Sequence, residues 1–277
     1  MNGTLFLVAT PIGNLEDITL RAIRILKEVD YIAAEDTRHS LKLLNHLEIT
    51  KPMISYHRHN EEVRSEQLLE KLKEGKSIAL ISDAGTPGIS DPGEEIVKKA
   101  LQEDIKVVPI PGACAAINAL IASGMDTKQF LFLGFLPLNK KNRKEQLNRI
   151  KGTDMTTILY EAPHKIKETL KDLITILEQR KIVIAREITK VHEEYLKGTA
   201  KELLEKMIEP KGEMVLLIEG KEKEEDKQEL TNLTLEEHYQ YYAQQNMEKK
   251  EIIKAIAKDR KVPKNEIYQY FLKKDHE

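Results

Sequence analysis

One cysteine, Cys114, in 277 residues excludes an intrachain disulfide framework and fits a reducing compartment. No stretch approaches the roughly eighteen consecutive apolar residues that a membrane helix needs. The apolar run after Met1 has no basic residue ahead of it, so a soluble, cytoplasmic protein without a cleaved export signal is expected. Neither sign of charge dominates, with 44 Lys and Arg against 46 Asp and Glu for a net of −2, so any polyanion must be met by local basic surface. There is no Gly-x-x-x-x-Gly-Lys-Ser/Thr phosphate loop, no Gly-x-Gly-x-x-Gly after the first apolar run, and no Gly-x-Ser-x-Gly elbow. His57 and His59 stand alone at their spacing and one cysteine cannot start a zinc set, so no metal is expected. No repeat of solenoid length occurs.

What is present is enough apolar sequence, 40%, to build a sizeable core, and a length that suits two domains and a tail. The most informative stretch is Ile81–Gly93, which follows the apolar run Ser77–Ile81 and precedes a helical pattern from Glu94 to Leu101. Gly85, Gly88, Gly93, Pro87 and Pro92 stop helix and ladder alike there, so it reads as a strand-to-helix loop with little side-chain bulk, able to admit a ligand close to its backbone. A plain surface connector has the same composition. Leu5–Ala9 is a short apolar run of the kind buried on both faces, ending in Thr10-Pro-Ile-Gly-Asn14. The helical spacing of Leu20, Ile23 and Leu26 follows, with Asp17 available as its cap. Tyr31–Ala34 runs into the ionic strand end Glu35-Asp-Thr-Arg38. A helix near Leu41–Leu47, a strand Met53–Tyr56, a helix Glu61–Glu74, a strand Val107–Ile110 and a small-residue helix Ala113–Ala122 complete an alternation without tight hairpins. Residues 1–112 are therefore predicted to form a parallel sheet between helices.

Residues 113–220 read as a second α/β domain with a mixed sheet: strands at Phe130–Phe135, Thr156–Leu159, Ile182–Ala185 and Met214–Ile218, and helices at Lys165–Leu177 and Ala200–Ile208. Between the first two strands lies a basic stretch with Lys140, Lys141, Arg143, Lys144, Arg149 and Lys151, which suits RNA or a solvated helix face. Residues 221–232 read as a charged linker, and 233–277 as three short helices opened by the capping box Thr234-Leu-Glu-Glu237. The tight Lys261-Val-Pro263 turn makes this tail resemble a helix-turn-helix module. Its basic residues, among them Lys249, Lys250, Lys254, Lys258, Arg260, Lys261, Lys264, Lys273 and Lys274, suit RNA binding, and packing or dimerisation suits it equally.

The ordered series Val8–Asp17, Ala34–Arg38, Ser82–Gly93, Pro109-Ile-Pro-Gly112, Tyr160-Glu-Ala-Pro-His164 and Arg186-Glu-Ile-Thr-Lys190 closely resembles the bacterial 16S ribosomal RNA (cytidine-2′-O)-methyltransferases of the tetrapyrrole methylase-like superfamily. The resemblance spans about residues 4–220, and the tail is similar to the appendage of the same enzymes. It implies two α/β/α domains with S-adenosylmethionine bound in the cleft between them, a homodimer, and a ribose 2′-hydroxyl of a decoding-centre cytidine in the small ribosomal subunit as acceptor. By the same likeness Pro11, Asp83, Gly85 and Ile89 line the cofactor from the first domain, Cys114 and Ala115 from the connection, and Tyr160, Glu161 and Gly212 from the second. Relatives acting on corrins and porphyrins usually carry Gly-Asp-Pro in the central loop, where Ser90 precedes Asp91-Pro92 here, which favours the RNA branch. From their places at strand ends, Asp36 and Glu187 are candidate bases, and Arg38, Arg186 and Lys190 candidates to bind phosphate or polarise the hydroxyl. Structural ion pairs suit those positions as well. A corrin or porphyrin C-methyltransferase and a non-catalytic ribosome assembly factor are the rival classes.

Overall fold

The computed structural model describes residues 2–177, 179–222, 230–245 and 247–274. Strands β1 (Thr4–Val8), β2 (Tyr31–Ala34), β3 (Met53–Ser55), β4 (Ile78–Ile81) and β5 (Lys106–Ile110) form a wholly parallel sheet in the order β3-β2-β4-β1-β5. The run Ile78-Ala-Leu-Ile81 is buried throughout because its alternate residues enter opposite cores. Ala79 and Ile81 pack with Ile25, Leu26 and Leu44 under helices α1 (Leu20–Glu28) and α2 (Thr37–His46). Ile78 and Leu80 pack with Leu68, Leu72 and Ile96 under α3 (Glu61–Lys73) and α4 (Glu94–Gln102). A parallel sheet sends every strand's carboxyl end to one edge, so the loops after β1, β2, β4 and β5 meet there.

Two local starts differ from the sequence reading. Helix α1 is capped by Thr19, whose hydroxyl accepts the Ala22 N–H, while Asp17 sits in a one-turn 3-10 segment (Leu15–Asp17) capped by Asn14. Helix α2 begins four residues earlier than its apolar pattern, because Asp36 at its N-cap accepts the Arg38 N–H at 2.8 Å.

The second sheet has the order β6-β7-β10-β8-β9, from β6 (Phe130–Phe135), β7 (Thr156–Glu161), β8 (Ile182–Arg186), β9 (Glu194–Gly198) and β10 (Met214–Ile218). Only β6 and β7 are parallel, so the sheet is mixed. Strand β9 was not anticipated from sequence, since Glu194-Tyr-Leu-Lys-Gly198 is a half-exposed edge strand without a clean alternation. Along β10, Met214, Leu216 and Ile218 face a core shared with α6 (Lys140–Gly152), α7 (Ile166–Leu177) and α8 (Ala200–Lys206). Val215 and Leu217 face α5 (Ala115–Ser123), whose Ala116, Ala119 and Leu120 lie flat against the sheet. The helix that leaves the first sheet thus packs on the second. Both sheets belong to one compact unit, Met1–Gly220.

Lys221–Glu277 forms a unit of its own. Most of the expected charged linker, residues 223–229, lies outside the described residues. Helices α9 (Leu235–Ala243), α10 (Lys249–Asp259) and α11 (Lys264–Lys274) follow, the first opened by the expected capping box of Thr234 and Glu237. Ile252, Ile253, Ile256, Tyr242 and Ile267 make its core. Beside them His238, fully buried, meets Asp259 at 3.2 Å through Nε2 and accepts the Arg260 Nε–H through Nδ1, and burial lowers its pKa. Arg260 is therefore half-buried, with its guanidinium engaged by His238 and the Leu233 carbonyl rather than free on the tail's basic surface. Among the described residues no helix is long and apolar enough to cross a membrane.

Candidate active site

The Ile81–Gly93 loop is held at four places. Thr10 and Gly85 form a two-hydrogen-bond bridge of 2.8 and 3.0 Å, and the Thr86 hydroxyl donates to the Ala113 carbonyl at 3.0 Å. The Arg58 guanidinium donates to the Ser90 carbonyl, and the Gly93 N–H to Glu61 at 2.8 Å. Gly85 sits at φ +82°, and a Cβ there would come within 3.2 Å of Ile12 Cγ2, so the backbone can lie flat along the wall only as glycine. Ser90 takes the left-handed conformation without being glycine, at φ +65°.

The loop walls a cavity of about 350 Å³ between the two sheets. Ile12, Asp83, Gly85 and Ile89 line it from the first sheet's loops, Cys114 and Ala115 from the start of α5, and Phe135, Tyr160, Glu187 and Glu213 from the second sheet. This volume falls in the range of about 300–1,000 Å³ that suits a cofactor-sized ligand. Its charge is acidic. Burial, then the neighbouring Glu35, pushes Asp91 up to about 7. Burial followed by Asp83 raises Glu35, while Arg58 pulls both the other way without cancelling the effect. Tyr160, its ring edge-on to Phe132 and Phe135 and its oxygen accepting the Ala116 N–H at 3.3 Å, is pushed up to about 12 by burial. Among the described residues no cluster of His, Cys, Asp or Glu is able to hold a metal ion.

Of the residues singled out from sequence, Asp83, Gly85, Ile89, Cys114, Ala115, Tyr160, Glu161, Glu187 and Lys190 lie on this cavity's wall. Glu161 contributes little free carboxylate, since its oxygens accept the Ala162 N–H at 2.9 Å and the Thr169 hydroxyl at 2.5 Å. Lys190 pairs with Glu187 at 2.9 Å, and its methylenes cover Gly13. Pro11 lines a smaller adjoining hollow. Asp36 is beside the cavity rather than on its wall, donating its N–H to Asp83 Oδ1 at 3.1 Å, and its pKa is lowered by the Arg38 N–H and guanidinium. Arg38 is almost wholly exposed, and Arg186 is paired with Glu194 at 2.5 Å. Gly212 lies behind Glu187, φ +74°, where a Cβ would collide with the Glu187 carboxylate. Glu187 itself is left-handed at φ +51°. Sequence reasoning missed Glu35, Glu213 and Phe135 on this wall. Each is the last residue of a recognised strand or its immediate flank, and that is the only signal they carry.

Two sheets joined through α5, with an acidic cavity between the strand ends, define a two-lobed α/β protein built to hold a small cationic or polar ligand. Among solved structures the fold is shared with the uroporphyrin-III C-methyl transferase from Thermus thermophilus complexed with S-adenyl homocysteine, at TM-score 0.57 and 17% identity over 78% of this chain and 97% of that one. The model of the tetrapyrrole (corrin/porphyrin) methylases matches residues 4–204. The ribosomal RNA small subunit methyltransferase I of Halalkalibacterium halodurans is 50% identical over 273 residues, covering 97% of this chain and 94% of that protein. Its Bacillus subtilis counterpart is 49% identical over 274 residues, covering 97% and 94%. The chain belongs to the tetrapyrrole methylase family, on the branch that these small-subunit methyltransferases occupy.

Proposed function

We propose that the protein methylates ribosomal RNA of the small ribosomal subunit with S-adenosylmethionine, at the ribose 2′-hydroxyl of a decoding-centre cytidine. The observation that carries this reading is the likeness, at 50% identity along nearly the whole of both chains, to a protein named for that class of reaction. The cavity fits the cofactor: its wall is flat at Gly85, apolar at Ile89 and Val215, and acidic at Asp83, Asp91 and Glu213. Carboxylates in a half-buried pocket favour a cation and oppose an anion. When bound, S-adenosylmethionine supplies an electrophilic methyl carbon on a sulfonium.

The residues of the chain then have to hold the acceptor in line and take its proton. Transfer forms the O–CH₃ bond and breaks the S–CH₃ bond, leaves a neutral thioether, and moves the hydroxyl proton to a base. Orientation can supply much of the acceleration, and a placed base adds roughly 10²–10⁴-fold. The bases we propose are Glu187 on the cavity wall and Asp36 beside Asp83, with Lys190, Arg38 and Arg186 meeting the phosphates of the acceptor strand. Pro11, Asp83, Gly85, Ile89, Cys114, Ala115, Tyr160, Glu161 and Gly212 shape or back the cofactor site. In this reading residues 1–112 and 113–220 are the two catalytic halves, and 233–277 is an RNA-binding tail. The enzyme works as a cytoplasmic homodimer.

The test is transfer of tritium from labelled S-adenosylmethionine to purified small ribosomal subunits, with a porphyrinoid as control acceptor and nucleoside digestion of the product. Label in 2′-O-methylcytidine is the expected result. Label in the porphyrinoid alone, or in neither, refutes the reading.

A further inference from the structure

A second hollow, of about 170 Å³, opens beside the main cavity. It is formed by Thr10 and Pro11 after β1, by Leu15, and by one face of α2, where His39, Ser40 and Leu43 project toward it. Asp83 is the one described residue that lines both hollows. Ser40 is the anomaly here. It is only 3% exposed, yet its hydroxyl has no hydrogen-bond partner, although the Asp36 carbonyl one turn back lies close enough to bond its backbone N–H at 2.9 Å. The other buried hydroxyls at this place are used: Thr10 Oγ1 donates to the Ser82 carbonyl and Ser82 Oγ to the Gly85 carbonyl, each at 3.2 Å. Buried hydroxyls are nearly always paired, so one left unpaired on a residue that lines a hollow points to a ligand group reaching it.

We propose that this hollow is the subsite for the acceptor nucleotide, taking a single pyrimidine ring between Pro11, Leu15 and Leu43, with an edge group of the base bonded to Ser40 Oγ. The inference rests on the RNA-methyltransferase reading and names where the acceptor sits. The proposed acceptor is a cytidine, and the hollow, half the volume of the main cavity and below the range of cofactor-sized sites, has room for its single ring. The walls suit a base, with the apolar Pro11, Leu15 and Leu43 to meet its faces and polar groups at Ser40, Ser82 and Asp83 to meet its edge. The rim suits the attached phosphate, because the exposed side chains of His39 and Lys42 stand there with no ion pair among the described residues. With the ring so held, the ribose lies at Asp83, between the two hollows and next to Asp36, where the methyl group arrives from the main cavity.

Two measurements separate this proposal from the reading it rests on. Cytidine 5′-monophosphate is titrated into the protein saturated with S-adenosylhomocysteine while the ring signals of His39 are followed by NMR. A shift of His39 that is lost in Ser40→Leu is expected. No shift with cytidine 5′-monophosphate overturns the subsite whether or not the protein methylates RNA. In the transfer assay, Ser40→Ala, which adds no bulk, should raise KM for small subunits about tenfold, the loss of one hydrogen bond. Its kcat and its affinity for S-adenosylmethionine should stay within twofold. An unchanged KM in an active enzyme overturns the subsite alone; an inactive wild-type protein refutes only the methyltransferase reading.

Discussion

Asp91 carries the clearest consequence at the scale of single residues. Its folded-state pKa, about 7, stands above the ordinary carboxylate value, so between roughly pH 4 and 7 the folded protein binds a proton that the unfolded chain has released. Stability must therefore fall as pH rises through that window, with Glu35 acting in the same direction. Asp91→Asn removes the buried charge. It should flatten that slope and raise stability at pH 8 by about 1 kcal/mol, the larger value of the full shift being cut by solvent screening at a partly exposed site, while weakening S-adenosylmethionine binding severalfold, measured as melting temperature against pH and by calorimetry. Gly212 is a second case. Its left-handed backbone and the Glu187 carboxylate that occupies its Cβ position make Gly212→Ala destabilising by about 1–3 kcal/mol in a denaturant titration. The acidity of Asp83 and Asp91 was legible in the sequence of the loop. That Glu35 and Glu213 face them was not, because 178 positions separate those two glutamates and only the closure of two sheets brings them together.

At the scale of elements, helix α6 shows how a charge run divides its work. Lys140, Lys141 and Lys144 are exposed, whereas Arg143 turns inward, donating to Asp172 at 2.7 Å and to the Thr169 hydroxyl at 3.0 Å. Thr169 in turn donates to the buried Glu161, so one arginine ties α6 and α7 to the end of β7 at the cavity wall. Arg143→Ala leaves that partly buried chain of acceptors short of a donor and should cost about 1–3 kcal/mol. Replacing Lys140, Lys141 and Lys144 together by alanine should leave stability within about 0.5 kcal/mol. It should weaken binding to small subunits and lower the salt slope of that binding by up to about three. The basic stretch was evident from composition; which of its members is structural depended on the helix phase and on α7 lying beside it.

At the scale of the whole molecule, Met1–Gly220 is compact without the tail, and the tail has a core of its own in Ile252, Ile253, Ile256 and Ile267. A chain ended after Glu222 should keep its affinity for S-adenosylmethionine within twofold and lose about tenfold or more in affinity for small subunits at physiological salt. Filter binding checks the second half of that statement, and unchanged subunit affinity removes the tail from RNA recognition. By itself the sequence determined the class of the fold, through short apolar runs that end in glycine, proline and carboxylates, since those residues terminate strands by local sterics and hydrogen-bonding alone. It also determined the family, through motifs read in order. Only the tertiary structure decided which of those strand ends share a cavity, that Arg143 and Arg260 are half-buried and bonded within the fold, and that Ser40 holds an unpaired hydroxyl on the hollow that Asp83 also lines. Those are contacts between segments distant in the chain. They arise from the packing of one sheet's edge against another's, which no local pattern encodes.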